Sequence, residues 1–429
     1  MTPQSSFMVA APIAPGREAE LRRLLAGMNE APGRVDPGNS LIPFGQFETV
    51  HVARLLILDD KTLDDGRVYG LPRPTYPLYL AFLGDVDGDG DRFLEEVARR
   101  APEGLRTIFG CCEGFSPDGN LVGWLKRHRV PSAAEYVNWR GRTVRQVREE
   151  AGLHEALHRH IRSDPAAFRG ARLQDVHAAL QRFVHAEASA GRLTLSPEAP
   201  TPVRTRIRNL VHLLGMPVVL LSTSPLFLLA LLRVRARERT DPVLCDRVDQ
   251  SHSDELALLE DHDVTNQFSA MGSVKPGMAR RWLVKYVLWV IDYGARHIFT
   301  RGRLARVRSI HFARWVYLDD RRRIAFFSNY DGSLESYMDD FINKVGFGLN
   351  VVFSNGIGYP RANWLVLDGC ADERSFKEYL RRHQMPSQVW YKAYPGLTAV
   401  DLERNSRIRR GLESSSLSER EAREWVALI

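Results

Sequence analysis

Two stretches of this sequence decide its fold: TVHVARLLILDD at 49–60 and SIHFARWVYLDD at 309–320. Each carries a His, one apolar residue and Ala-Arg, then runs apolar into a double Asp. The match extends outward on both sides. FMVAAPIAPG (7–16) aligns with FSAMGSVKPG (268–277), and LAFLGDVDG (80–88) with IAFFSNYDG (324–332). GLRTIFGCCEGF (104–115) aligns with GLNVVFSNGIGY (348–359), and LKRHRVPSAAEY (125–136) with LRRHQMPSQVWY (380–391). Five blocks in one order mark a duplicated unit of roughly 140–150 residues, with a long insert between the copies.

Within each copy an apolar strand stops at Pro-Gly, and a helix follows: EAELRRLLAGM in the first copy, ARRWLVKYVLWVIDYGARHIF in the second. The His-x-Ala-Arg strand comes next, then a strand ending at Asp-Gly, a second helix, and the remaining strands and helix. The order β-α-β-β-α-β predicts a ferredoxin-like unit, an antiparallel sheet with helices on one face. The expected fold is α+β: two tandem ferredoxin-like units packed sheet against sheet as a dimeric α+β barrel. Unit one takes 1–150, a helical insert 151–260, unit two 261–412 and a tail 413–429. In its order of elements the chain resembles the dimeric α+β-barrel superfamily, which includes dye-decolorizing peroxidases and chlorite dismutases. Its blocks also look like those of a broader set of bacterial two-copy proteins.

Of the 429 residues, 44% are hydrophobic and 26% charged, which suits a packed core and excludes global disorder, collagen and a multi-span channel. The net charge of +7 gathers around one apolar segment. Cys111, Cys112, Cys245 and Cys370 have no CxxC spacing, so neither a disulfide framework nor a zinc knuckle is expected. The N-terminus lacks a basic leader, and Pro12 and Pro15 interrupt its short apolar run. It reads as a strand, placing the chain in the cytoplasm or on that face of a membrane.

The apolar segment is LVHLLGMPVVLLSTSPLFLLALL, 210–232, without a Lys, Arg, Asp or Glu. Arg204, Arg206 and Arg208 precede it; Arg233, Arg235, Arg237 and Arg239 follow. Its length permits a spanning helix, but Pro217 and Pro225 are expected to break it, and its flanks are symmetric in charge. A re-entrant or in-plane anchor on an anionic lipid surface is the expectation, making the protein peripheral or monotopic on the cytoplasmic face. The first helix of copy two supports this, interleaving Trp282, Leu283, Tyr286, Trp289 and Val290 with Arg280, Arg281 and Lys285. No groove-reading motif points to nucleic acid. A homo-oligomer is left open. Upstream, His154, His158 and His160 read as solvated helix positions, with nothing nearby to complete a metal site.

Several constellations could carry chemistry. Asp85, Asp87, Asp89 and Glu96 fit the spacing of a calcium loop, D-x-D-x-D-G-x5-E, although a strand precedes it where a helix should. The alternative is a strand-to-helix turn whose acids cap the helix. Alternation puts Ile310, Phe312, Arg314, Val316 and Leu318 on one strand face, expected to pack under the helices. A guanidinium there needs an anionic partner or ligand, and since Arg54 repeats the arrangement, a structural Arg–Asp pair in both copies is one reading. His128 and His383 sit where they can cap helix carbonyls. Copy two is the more polar at Asn266, Gln267, Asn329, Ser354 and Asn355, which points to it as the copy that keeps a site. There is no nucleophile elbow, P-loop or GxGxxG.

The resemblance to the haem-binding barrel proteins implies more. It places an axial ligand at His297, near the end of the second unit's first helix, and a distal Arg at Arg314. Tyr293 and His311 would contact the haem, while Asp331 and Asn329 would join Arg314 in catalysis. The family's GxxDG motif is missing; SNYDGS (328–333) imitates it on the wrong side of the Arg. Two functions are thus expected: a membrane-peripheral, haem peroxidase-like oxidoreductase acting on a hydrophobic or lipid-derived small molecule, or a non-catalytic or Ca2+-modulated membrane-binding scaffold.

Overall fold

Eight strands carry the duplication: β1 (Gln4–Pro12), β2 (Val50–Leu58), β3 (Tyr79–Asp87), β4 (Ser132–Val137), β5 (Thr265–Ser273), β6 (Ile310–Leu318), β7 (Arg323–Asp331) and β8 (Val389–Lys392). In the computed structural model, which describes residues 4–244, 247–300, 302, 304 and 306–429, they form two four-stranded antiparallel sheets among the described residues. Cys245 lies outside those residues. The sheet orders are β1-β3-β2-β8 and β4-β6-β7-β5. Each copy thus lends its last strand to the other copy's sheet. Trp390 pairs with Arg54, and Glu135 with Arg314.

The HxxPS motifs account for the exchange. Before leaving, each chain segment touches its own first strand: Val130 N donates to Met8 O (2.9 Å), and Met385 N to Ser269 O (2.7 Å). The next residue is Pro131 or Pro386, which has no N–H to continue that ladder. The chain turns away and pairs across, so the sheets are linked at both edges. The molecule is a mixed α+β structure with three apolar layers. Met8, Leu56, Leu83, Met271, Val316 and Phe327 fill the space between the sheets. Phe7, Phe82, Leu94 and Trp124 pack the outer face of the first sheet, and Phe268, Phe326, Tyr337 and Phe376 that of the second.

Two expectations are corrected here. The strand face holding Phe312, Arg314, Val316 and Leu318 meets the opposite sheet and not the helices, which take Trp315 and Tyr317 instead. The apolar segment is also unbroken. Helix α1 (Val203–Glu238) runs through both Pro217 and Pro225. The Leu221 carbonyl, deprived of its donor by Pro225, accepts from Ser224 Oγ at 2.8 Å, and Thr223 Oγ1 donates to Val219 O at 2.8 Å.

Helix α1 lies antiparallel along α2 (Met278–His297). Arg237 Nη1 donates to Pro276 O (3.1 Å) at one end, the Phe227 and Tyr286 rings stand 5.3 Å apart midway, and Asn209 meets His297 at the other. Helix α2 in turn packs Leu283, Val284, Val287 and Leu288 beneath α1 and against the second sheet.

Candidate functional site

The duplicated arginines sit between the sheets. Arg314 donates to Phe7 O (2.8 Å) and Gly84 O (2.9 Å) and pairs with Asp85 (2.5 Å). Arg54 mirrors it, donating to Phe268 O (3.0 Å), Ser328 O (3.0 Å), Ser269 Oγ (2.8 Å) and Asn329 Oδ1. Asn329 stands where copy one has Asp85, so the expected Arg–Asp pair exists once only. Burial, then the neighbouring Arg314, lowers the Arg54 guanidinium to about 9. Burial pushes the Asp85 carboxyl up, with Arg314 pulling against it. The cavity between these groups is about 10 Å³, room for a water but not for an organic ligand.

His51 and His311 are buried at β-bulges, where the register shifts between Val50 and Val52 and between Ile310 and Phe312. His51 meets Asp87 (3.0 Å), which accepts from Val144 N (2.9 Å). His311 meets Asp331 (2.6 Å), which accepts from Ala399 N (2.7 Å). Val144 and Ala399 are the first residues of matched helices, each opened by a capping box from Thr143 or Thr398. The pairs therefore lock each sheet to a helix start.

The four acids of the proposed calcium loop have four different partners. Asp85 holds Arg314, Asp87 holds His51, Asp89 caps a helix through the Asp91 and Arg92 amides, and Glu96 pairs with Arg100. Among the described residues no group of three His, Cys, Asp or Glu could hold a metal. Of the four, Asp89 alone caps the helix as in the alternative reading. His128 and His383 bond the Trp124 and Tyr379 carbonyls through Nδ1, at 3.0 and 2.8 Å.

Haem does not fit the residues that the resemblance assigned. His297 Nδ1 lies 3.1 Å from Asn209 Oδ1, with the rings of His212 and Tyr293 at 4.7 and 4.6 Å. Arg314, Asn329 and the 10 Å³ cavity they line are elsewhere, between the sheets. Among the described residues His297 and Arg314 line separate cavities, and His311 is engaged with Asp331. The cavity at Arg314, about 10 Å³, is far short of the several hundred Å³ a porphyrin needs.

His297 instead lines a pocket of about 550 Å³ where the starts of α1 and the end of α2 meet the loop after β4. Among the described residues its wall carries Arg140, Arg142, Arg206, Arg208, Arg296 and Arg410 against a single acid, Glu198. The loop is WRGRT at 139–143. Gly141 takes φ +92°, a left-handed conformation open to glycine, and lets Arg140 and Arg142 both reach the pocket. Gln4 pins the loop, its Oε1 accepting from Gly141 N (3.0 Å) and its Nε2 donating to Arg142 O (2.5 Å). Arg142 lies over Trp139, 4.1 Å from the ring centre, and is 6% exposed. Its Nη2, and Nε and Nη2 of Arg140, are buried without a hydrogen-bond partner among the described residues. Burial lowers both guanidinium groups from their ordinary value, and burial together with His212 and nearby arginines lowers His297.

The sequence reading missed Arg140, Arg142, Arg410 and Asn209. A signal was present: copy two reads YPGLT at 394–398, so Pro395 and Leu397 replace both arginines. The arginine pair of the loop is specific to copy one, and copy two adds Arg296, His297, Thr300 and Arg410 to the wall. Comparison with protein families, curated proteins and solved structures finds no match to this chain.

Proposed function

We propose that this is a membrane-associated protein, two tandem ferredoxin-like units closed into an α+β barrel and held on a bilayer by α1 and α2. The observation that carries this reading is the outer face of α1. Ile207, Val211, Leu214, Val218 and Leu221 follow one another at three- and four-residue spacing, Leu228 and Leu232 continue the row beyond Pro225, and all are exposed, as are Leu210, Leu213, Leu226 and Leu229 to its sides. Only 6% of the most apolar stretch of this helix is buried. A monomer in water does not leave such a face open without a use for it. Sinking the seven side chains of the row into hydrocarbon is worth roughly 10 kcal/mol before the costs of association.

The anchor lies in the plane of the interface. By length and composition α1 could cross a membrane. Yet it is docked along α2 from Asn209 to Arg237, and α2 is packed on the second sheet. Standing α1 across the bilayer would carry that sheet into hydrocarbon. Trp282 and Trp289 on α2 are exposed beside it, and Lys285 Nζ sits 5.0 Å from the Trp282 ring centre, an arrangement suited to the headgroup level. The peroxidase reading lacks comparable support, because its ligand and its distal Arg line separate cavities.

Flotation with phosphatidylcholine vesicles tests the reading. The intact protein is expected to float, and a Leu214→Gln, Val218→Gln, Leu221→Gln variant to stay behind. A protein that is monodisperse without detergent and ignores vesicles would overturn it.

A further inference from the structure

We infer that the arginine pocket at the start of α1 binds a phosphate-bearing polyanion, and that the phosphate is the head group of an anionic phospholipid. The choice of lipid as source rests on the membrane reading; the phosphate site itself does not.

The first support is charge with nothing to spend it on. Of the six arginines, Arg296 is satisfied by Asp292 (2.7 Å) and Glu135 (3.2 Å). Among the described residues Arg142 has one ion pair, with Glu150 at 3.9 Å from its Nε, and burial pushes that carboxyl up to about 7, so it is a weak counter-ion at neutral pH. Three guanidinium nitrogens of Arg140 and Arg142 are buried and, among the described residues, unbonded. A buried donor left without an acceptor costs about 1–3 kcal/mol, more when charged, and an oxyanion would remove that cost. The other arginines with buried nitrogens have partners: Arg54 and Arg314 hold carbonyls, Asn329 and Asp85, and Arg235, Arg280, Arg323 and Arg409, although each leaves one nitrogen likewise unbonded, pair with Glu238, Asp241, Asp319 and Glu413.

The second support is shape and chemistry. Guanidinium forks match the tetrahedral oxygens of phosphate, and Thr201, Thr205 and Asn209 on the same wall add neutral polar groups. A volume of 550 Å³ suits a head group or small phosphate ester. The Trp139 ring offers no stacking platform for a base, because Arg142 and Arg410 lie 4.1 and 5.6 Å from its centre. The third support is position. Arg206, Arg208 and Asn209 sit on the pocket wall, and the uncharged run of α1 starts at the next residue, Leu210. A phosphate there has its acyl chains beside the apolar stripe.

The test uses the full chain purified in detergent, with two probes. Sodium pyrophosphate is titrated calorimetrically, and flotation is compared on phosphatidylcholine vesicles with and without phosphatidic acid. Pyrophosphate is expected to bind and to raise the His297 pKa, followed by NMR. Arg140→Gln, at a half-buried position, should weaken binding about tenfold. Arg142→Lys, which keeps the charge but loses the fork, should also weaken it, and Glu198→Gln should tighten it. Arg423→Gln, at an exposed position that does not line the pocket, should change nothing. The gain in flotation from phosphatidic acid should fall with Arg140→Gln while flotation on phosphatidylcholine alone persists. Absence of pyrophosphate binding, or binding indifferent to all three pocket substitutions, overturns the site. Pyrophosphate binding with a phosphatidic acid gain that Arg140→Gln leaves intact overturns the lipid source. Loss of flotation on neutral vesicles alone would count against the anchor and not against the pocket.

Discussion

Arg54 and Arg314 reach across the space between the sheets in opposite directions, each donating to two backbone carbonyls of the other copy. The pairing is symmetric in its carbonyls and asymmetric in its third partner, a carboxylate for Arg314 and an amide for Arg54. The duplication is therefore stitched together by a crossed pair of buried cations as well as by exchanged strands.

That asymmetry predicts unequal costs. Arg314→Leu strands a buried Asp85 and should destabilise the protein by about 3–5 kcal/mol. Arg54→Leu removes a desolvated cation whose partners are neutral, so its cost should be smaller. Urea unfolding of the two variants measures the difference; equal losses would show that the charge on Asp85 does not matter.

Asp331 sets the acid limb. Burial alone would raise its carboxyl, but His311, Thr265 and the Ala399 amide outweigh it and hold the group below its ordinary 3.8. Its contribution is whole above pH 3.8 and is lost as pH falls through the lower, folded value. Asp331→Asn should thus be less stable than wild type at neutral pH, with the gap closing below about pH 4. Melting temperatures across that range check it.

The repeat and the strand-turn-helix order were legible because duplication wrote each of them twice, whereas the crossing of the two arginines between the sheets was not. His51 and His311 could be matched from sequence, and so could Arg54 and Arg314. Strand exchange was not legible: the HxxPS motif marks a departure from the sheet edge, but pairing Trp390 with Arg54 is a tertiary choice. Face assignment failed because both faces of β6 are apolar, leaving alternation nothing to separate. The continuity of α1 was hidden by its two prolines, since the Ser224 hydroxyl that replaces the lost donor is a local detail. The pocket was missed for the opposite reason to the repeat. Arg140 and Arg142 occur in one copy only, and attention to what the copies share passes over them.

Glu150 should oppose stability at high pH. Burial lifts its carboxyl to about 7 from an ordinary 4.5, against the pull of Arg142 and Arg409. The native state therefore holds a proton that the unfolded chain has lost, and stability declines as pH rises from 4.5 through 7. Glu150→Gln should remove that decline and raise Tm at pH 8 by roughly 2–4 °C. A variant whose pH profile runs parallel to wild type would contradict this.

The two faces of α1 should respond differently to substitution. Phe227 and Leu231 are partly buried against α2, and Val234 is fully buried there. Truncating them, as in Phe227→Ala with Leu231→Ala, should cost about 1–3 kcal/mol through lost packing. The outward residues Leu214, Val218 and Leu221 touch solvent, so the triple Gln variant should melt within about 0.5 kcal/mol of wild type in detergent-free buffer. It should also stay dispersed where wild type associates. Deleting 210–232 outright is a poorer test, because it would uncover Leu283 and Val287 of α2. If the outward substitutions destabilise as much as the inward ones, α1 is packed on both sides, by a second copy or by another part of an assembly. Sedimentation of wild type against the triple variant would then show a dimer lost on substitution, and the stripe would be an interface in place of an anchor.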